Sequence, residues 1–117
     1  MLQREEALAG RATAAMKAVA SAEGVDIEFV RSGVADGRIA IPCNINRGAK
    51  SIYGIGAGLS VKINANIGTS GEINKPELEL EKLQAAEEAG AHAIMDLSTG
   101  GDLAAVRKMI LEKTKLC

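Results

Sequence analysis

Two strand-then-helix patterns follow one another in the second half of this 117-residue chain. Apolar and polar residues alternate over 61–67, which predicts a strand with one apolar face, and a helical pattern begins near Asn74. An apolar run over 92–97 predicts a second strand, and Asp102 then starts another helical pattern. Two βα units in succession imply parallel strands, because each crossover returns the chain to the same end of the sheet. The chain is therefore expected to have an α/β fold.

Helix signals around these strands are explicit. Asn74 is predicted to cap the first helix, Pro76 lies in its first turn, and Gly90 ends it. The charged residues between Glu77 and Glu88 are interpreted as a solvated face. The strand at 92–97 is apolar on both faces, which predicts cover on both sides. The last helix is predicted to bury Leu103, Val106 and Ile110, with Met109 as a further candidate.

The first part of the chain is Ala-rich and is predicted to be helical. Thr13 is predicted to cap one helix that stops at Gly24, and Asp26 to cap a second. A short strand at 38–41 is closed by Pro42. The second helix is expected to place Phe29, Val30 and Val34 in the core.

Residues 43–58 are predicted to be an irregular connection. The glycines of 54–58 superficially resemble a dinucleotide-binding loop, but that fingerprint requires a helix after it, and a strand pattern follows instead. They are interpreted as turn residues. We therefore expect two regions: residues 1–58, helical with a short strand and a loop, and residues 59–117, which hold the two βα units.

Charge and composition exclude several classes of partner. The formal net charge is −1 and the only aromatic residues are Phe29 and Tyr53, which argues against nucleic acid. No apolar run approaches the roughly 20 residues that span a bilayer, so no membrane partner is expected. The first residues are charged at once and lack the apolar region of a signal peptide, so a cytoplasmic location is predicted.

No metal site can be assembled from the residue spacing. Cys43 and Cys117 are the only cysteines and are expected to be free thiols. His92 is the only histidine and is interpreted as structural or surface-exposed. No nucleophile with a nearby base, and no pair of carboxylates, follows from the spacing either. No catalytic residue is therefore assigned.

The carboxyl ends of the two strands are the expected ligand-binding positions, as in other parallel sheets. Lys62, Asn64 and Asn66 lie on the polar face of the first strand, where an amide offers two donors and one acceptor. Alternatively, Asn66 only bonds the backbone to tighten the turn at Gly68. Met95 ends the second strand and, by residue type alone, is more typical of a core. The residues alone thus indicate a βα segment able to bind a polar ligand.

Four segments resemble the N-terminal portion of the ThiC family, the phosphomethylpyrimidine synthases of thiamin biosynthesis, over about Met16 to Glu112. They read GVADGRIAIPCNIN, GIGAGLSVKINANIGTS, ELEKLQAAEEAGAHAIMDLSTGGDL and VRKMILE. The resemblance implies the first two βα units of an incomplete (β/α)₈ barrel. It also implies substrate-binding roles for Asn66, by a hydrogen bond, and for Met95, by packing against the ligand ring.

The resemblance further implies a radical reaction. The family uses S-adenosylmethionine and a [4Fe–4S] cluster to convert 5-aminoimidazole ribotide into 4-amino-5-hydroxymethyl-2-methylpyrimidine phosphate. The family's C-terminal Cys-x2-Cys-x4-Cys set and its zinc histidines are absent from this sequence. This chain alone is therefore expected to bind neither cofactor and to be inactive.

Two alternatives remain open. The related 5-hydroxybenzimidazole synthases resemble the same stretch and act on the same ribotide. The second alternative is a non-catalytic protein that covers its strand edges by self-association. Expected partners are accordingly the ribotide and either further copies of the chain, as a homo-oligomer, or the remainder of a barrel.

Overall fold

The computed structural model of the protein describes residues 2–44, 46 and 51–117. Within these ranges the chain is mixed α/β, with five helices and two sheets of two strands each. Internal contacts divide it into two units, Met1–Val61 and Lys62–Cys117. The α/β class is thus confirmed, whereas the boundary at residue 58 and the barrel stay predictions.

The first unit contains three helices, and two of them begin at the predicted capping residues. The Thr13 side chain accepts a hydrogen bond from the Met16 N–H at 3.2 Å, and Gly24 ends the same helix at a φ of 66°. Asp26 accepts from the Glu28 N–H at 2.7 Å and starts the next helix. The helices are α1 (Gln3–Leu8), α2 (Ala14–Glu23) and α3 (Ile27–Ala35).

The core of this unit lies between α1, α2, α3 and a short strand. Val30 and Val34 are buried as predicted, but Phe29 is 39% exposed, which corrects its assignment to the core. Phe29 lies one position from the buried Val30, about 100° around the helix, so it falls at the edge of the apolar stripe. The buried cluster consists of Ala7, Ala15, Met16, Val19, Ala20, Val30, Val34, Ala35, Ile39 and Ile41.

Residues 43–58 are not wholly irregular. Strand β1 (Ile39–Ala40) pairs antiparallel with β2 (Ile55–Gly56), and Ile39 lies opposite Gly56. A Cβ at Gly56 would come within 2.1 Å of the Arg38 carbonyl oxygen, so this close pairing requires glycine. Sequence reasoning missed the strand because its glycines are typical of turns. Residues 45 and 47–50 of the predicted connection lie outside the described residues.

One ion pair closes the turn after α1. Arg11 Nε and Nη2 donate to the two carboxylate oxygens of Glu6, at 2.6 and 2.8 Å. This hydrogen bonding to Arg11 lowers the pKa of Glu6 below its ordinary value of 4.5. The Glu6 side chain is 12% exposed, so the pair is more sheltered than most surface ion pairs.

The second unit repeats the βα pattern with parallel strands. Its elements are β3 (Asn64–Ile67), α4 (Pro76–Glu88), β4 (Ala93–Asp96) and α5 (Leu103–Lys113). Strand β3 pairs parallel with β4, as the sequence predicts. Strand β3 is shorter than the predicted 61–67, because Val61 and Ile63 are exposed by 84% and 56% and so have no apolar surface to pack against.

The predicted N-terminal cap is present in one of the two helices of this unit, α5, and absent in the other, α4. Asp102 accepts from the Ala105 N–H at 3.0 Å and caps α5, as expected. The predicted cap Asn74 is wrong: Lys75 precedes the helix, and its carbonyl accepts from the Leu78 N–H at 3.0 Å. Pro76 at the first helical position has no N–H to satisfy, which weakens the need for a side-chain cap.

One face of the β3–β4 sheet packs on the two helices. The buried cluster joins Ile67, Leu83, Val106 and Ile110, with Leu80, Ile94 and Met109 packed against it. Leu103 is 37% exposed rather than buried, because it lies one turn before Val106 and beyond the cluster. Met95 is 48% exposed, so β4 is covered on one face only in this unit, not on both.

The chain returns to β4 after α5. The Cys117 N–H donates to the His92 carbonyl at 3.4 Å, and the Ile94 N–H donates to the Cys117 carbonyl at 3.1 Å. This pair of bonds is the pattern of a parallel bridge between Cys117 and Ala93. Across the described helices, none is long and apolar enough to cross a membrane.

His92 has a structural role at the start of the same sheet. The ring nitrogen Nδ1 of His92 accepts a hydrogen bond from the Ile63 backbone N–H at 2.9 Å. The backbone N–H of His92 donates to the Ile63 carbonyl, also at 2.9 Å. The two bonds hold the strands together where the ladder begins.

We expect His92→Ala to destabilise the chain by about 1 kcal/mol, because the Ile63 N–H loses its acceptor. Asn offers an oxygen at the δ position, so His92→Asn should retain most of the stability. Urea unfolding of the three proteins measures the difference. Equal destabilisation by both substitutions would contradict this role.

We expect Arg11→Gln to reduce the acid sensitivity of the first unit. Because the folded-state pKa of Glu6 is depressed, its contribution is present above the ordinary value of 4.5 and is lost as the pH falls through the lowered value. The variant should therefore be less stable than the parent at neutral pH, and the two should converge once the pH falls below the lowered pKa of Glu6. Unfolding measured against pH checks this, and parallel curves would refute it.

Candidate functional site

Asn66 and Met95 lie directly opposite each other in the parallel sheet. The register pairs Asn64 with Ala93, Ala65 with Ile94, Asn66 with Met95, and Ile67 with Asp96. Paired residues project from the same face of a sheet, so the Asn66 and Met95 side chains share a face. Ile67 and Ile94 project from the other face, which packs on the helices. The structure therefore brings the two sequence-predicted site residues together on the uncovered face.

This uncovered face carries a polar row beside an apolar row. Asn64 and Asn66 form the polar row on β3, and both are exposed. Ala93 and Met95 form the apolar row on β4, and Leu97, 52% exposed, extends it past the strand end. Amides can hydrogen-bond the edge of a planar ligand while thioether and alkyl groups contact its face. The face thus presents amide groups for hydrogen bonding beside exposed apolar side chains.

The loops after the two strands are bonded to each other. Leu97 N–H donates to the Ile67 carbonyl at 2.7 Å, and Thr99 N–H donates to the Thr69 carbonyl at 2.8 Å. The buried Thr69 donates its hydroxyl to the Gly100 carbonyl at 2.7 Å. These bonds continue the contact between the strands beyond their ends. They leave little freedom in the positions of Asn66 and Met95.

Gly68 permits the two chain segments to approach at this point. A Cβ there would lie 2.6 Å from both the Leu97 carbonyl carbon and the Ser98 nitrogen. Both are backbone atoms, so a side chain would force the strand ends apart. The sequence interpretation of Gly68 as a turn residue was therefore incomplete, because a close backbone approach also requires it. Among the described residues, the Asn66 side chain bonds Asn64 rather than the backbone of the turn.

Glu79 is a buried carboxylate that sequence reasoning missed. It is 1% exposed, although the charged residues of its helix were expected to form a solvated face. Its Oε2 accepts from the Gly68 N–H at 2.6 Å, and its Oε1 accepts from Lys82 Nζ at 2.7 Å. Glu79 stands four residues before the buried Leu83, and this helical spacing was the available signal. Glu79 therefore holds the end of β3 to helix α4 through the Gly68 N–H.

Asp96 anchors the end of β4 in a similar manner. Its side chain is 10% exposed, and Oδ1 accepts from the Ser98 N–H at 3.0 Å. Its buried Oδ2 has no hydrogen-bond partner among the described residues, and Arg107 Nε lies 3.8 Å away. Its register places it on the helix-facing side, away from Asn66. Asp96 is thus a supporting residue of the turn.

The described residues contain no group of three or more histidine, cysteine or acidic side chains placed to hold a metal ion. Cys43 is exposed and Cys117 partly buried, and both are free thiols, as predicted.

Comparison with known proteins places these residues in context. The family model described as "Radical SAM ThiC family" matches residues 2–117. A phosphomethylpyrimidine synthase of Desulforamulus reducens is 51% identical over 116 residues, 99% of this chain and 27% of that protein. One from Thermus thermophilus is 55% identical over 113 residues, 96% of this chain and 26% of that protein.

A relative named for a different activity matches equally broadly. The 5-hydroxybenzimidazole synthase BzaB of Moorella thermoacetica is 47% identical over 116 residues, 99% of this chain and 27% of that protein. The chain thus spans about a quarter of the length of the curated relatives it matches.

We expect Glu79→Leu to destabilise the chain by about 1–3 kcal/mol, because the Gly68 N–H is left buried without an acceptor. Glu79→Gln keeps an acceptor oxygen and should cost less. Lys82→Met removes the ion pair alone and is the matched control; Lys82 is 43% exposed, so its loss should have a small effect.

Urea unfolding, together with hydrogen exchange at the Gly68 amide, measures these effects. Faster exchange at Gly68 is expected in Glu79→Leu only. If Lys82→Met were as damaging as Glu79→Leu, the ion pair rather than the backbone bond would be the stabilising contact.

Proposed function

The chain belongs to the Radical SAM ThiC family, and on that premise we propose that it supplies part of the substrate site for a reaction of 5-aminoimidazole ribotide. The proposed product is 4-amino-5-hydroxymethyl-2-methylpyrimidine phosphate, the pyrimidine precursor of thiamin. The observation that carries the proposal is the register of β3 and β4, which pairs Asn66 with Met95 on the uncovered face.

The proposed roles of the two residues are those that the family resemblance implies, and the chemistry of their side chains suits these roles. The Asn66 amide hydrogen-bonds a polar atom of the bound ribotide, since it is exposed at the strand end. The Met95 thioether packs against the imidazole ring, because sulfur is polarisable and the side chain is half-exposed beside Asn66. Neither residue transfers a proton or forms a covalent bond. Both bind and orient the substrate.

We further propose that the two βα units are the start of a (β/α)₈ barrel. The parallel β3–β4 pair, with helices on one face only, has the arrangement of neighbouring barrel strands. The bridge between Cys117 and Ala93 supports the proposal, since it adds a third parallel segment beside β4. In a closed barrel the uncovered face would be the lumen side, which explains why an amide row and Met95 lie there.

The cofactors implied by the family do not fit the residues of this chain. A [4Fe–4S] cluster is held by cysteine thiolates, and the sequence has two cysteines, Cys43 and Cys117, in different units. We therefore propose that cluster and S-adenosylmethionine binding require residues other than these 117, and that this chain alone is inactive. Its partner is either the remainder of a barrel or further copies of itself.

A second candidate activity is 5-hydroxybenzimidazole synthesis. The 47% identity to the Moorella thermoacetica BzaB over 99% of this chain favours it nearly as well as the synthase matches do. We propose that both reactions begin with the same ribotide. Binding to this chain therefore cannot separate them, whereas the product of an active enzyme does.

We expect 5-aminoimidazole ribotide to bind the 117-residue chain weakly, with a dissociation constant of roughly 1 mM, because two contacts offset little of the entropic cost of association. In an NMR titration the Asn66 side-chain amide and the Met95 methyl group should shift. Asn66→Ala and Met95→Ala should each weaken binding about tenfold, the loss of about 1.4 kcal/mol.

Gln84→Ala is the matched control, since Gln84 lies on α4 and its side chain bonds Glu88 of the same helix. It should leave the titration unchanged. Tight binding would contradict the expected weak affinity, and binding that survives both site substitutions would refute the assignment of Asn66 and Met95.

A further inference from the structure

The two asparagines of β3 are bonded to each other. Asn64 Nδ2 donates to Asn66 Oδ1 at 3.1 Å. The residues are two apart in an extended strand, so their side chains lie side by side on the uncovered face. This bond joins Asn66, to which the family resemblance assigns a substrate-binding role, with Asn64, to which it assigns none.

In this bond the Asn66 amide takes one of its two orientations. A carboxamide carries an acceptor oxygen on one side and two donor hydrogens on the other. With Oδ1 turned toward Asn64, the NH₂ group of Asn66 is turned away from it. We propose that Asn64 is a positioning residue that fixes this orientation, so that Asn66 presents hydrogen-bond donors to the ligand.

The β4 residues opposite the two asparagines have no side-chain donor that could bond Asn66 Oδ1 in place of Asn64. Asn64 lies opposite Ala93 and Asn66 lies opposite Met95 in the register. The Ala93 methyl group has no hydrogen-bonding atom, and the Met95 thioether accepts only weakly. Neither side chain offers a donor that could engage Asn66 Oδ1 in place of Asn64. Among the described residues, the amide pair is therefore the polar contact that couples the orientation of Asn66 to that of Asn64.

The chemical consequence is a specificity for acceptor atoms. Resting on the proposed function, the partner of Asn66 in the ribotide is an imidazole ring nitrogen or a ribosyl oxygen, not the exocyclic amino group acting as donor. Asn64 does not touch the substrate in this arrangement. Its effect is transmitted through Asn66.

The orientation can be measured without any ligand. Hydrogen exchange and the temperature dependence of the side-chain NH₂ resonances are recorded for the 117-residue chain. We expect an Asn64 NH₂ proton to be protected and both Asn66 NH₂ protons to exchange freely. Asn64→Asp places an acceptor where the donor was, so the Asn66 amide should reverse and its NH₂ should become protected. Protection of the Asn66 NH₂ in the parent chain would overturn the proposal.

A second measurement connects the orientation to binding. 5-Aminoimidazole ribotide and the corresponding riboside are titrated against the parent, Asn64→Ala, Asn64→Asp and Gln84→Ala. We expect about a fivefold loss of affinity in Asn64→Asp and about a twofold loss in Asn64→Ala, of the order of one hydrogen bond. The riboside has no phosphate, so a loss shared by both ligands is not repulsion between phosphate and the new carboxylate.

The outcomes separate this proposal from the one it rests on. If the Asn66 resonances shift equally in the parent and both Asn64 variants, Asn64 does not position Asn66 and the proposal is wrong. If neither ligand shifts the parent, the ribotide assignment fails, and the exchange measurement alone then supports or overturns the orientation. If the riboside loses no affinity in Asn64→Asp, the acceptor specificity is overturned.

Discussion

The parallel register of β3 and β4 is the constraint on which the candidate site depends. Side chains alternate along a strand, so a slip of one residue would turn Asn66 or Met95 toward the helices. The register is fixed at both ends of the ladder. His92 and Ile63 exchange bonds at the start, and the bond from Leu97 to the Ile67 carbonyl continues it at the other end.

One face of this short sheet packs on helices, and the other carries exposed side chains. Ile67 and Ile94 pack with apolar residues of α4 and α5, which holds the strands against their helices. The buried carboxylates of Glu79 and Asp96 bind backbone N–H groups of the following turns and so fix the strand ends from the helix side. The opposite face is thereby free to carry exposed side chains in set positions, as a preorganised binding surface requires.

Elements with local signals were predictable from the sequence. Thr13, Asp26 and Asp102 cap helices as expected, because a cap bonds an N–H two or three residues away and needs no distant partner. The predictions that Asn74 caps α4 and that Leu103 is buried were wrong, because neither depends on local sequence alone. Whether an asparagine caps, or a leucine is buried, depends on which other segments lie beside it. The alternation at 61–67 likewise predicted a strand but not that Val61 and Ile63 would lie beyond its partner.

The sequence by itself determined the α/β class, the parallel order of the two strands and, by resemblance, the family, since periodicity and motifs are read along the chain. Only the tertiary structure decided that Asn66 lies opposite Met95, that Glu79 is buried and bonds the Gly68 N–H, and that the Asn64 side chain bonds the Asn66 amide. These are contacts between side chains and backbone whose distances are set by strand register and helix packing. No local pattern of residues encodes such distances directly.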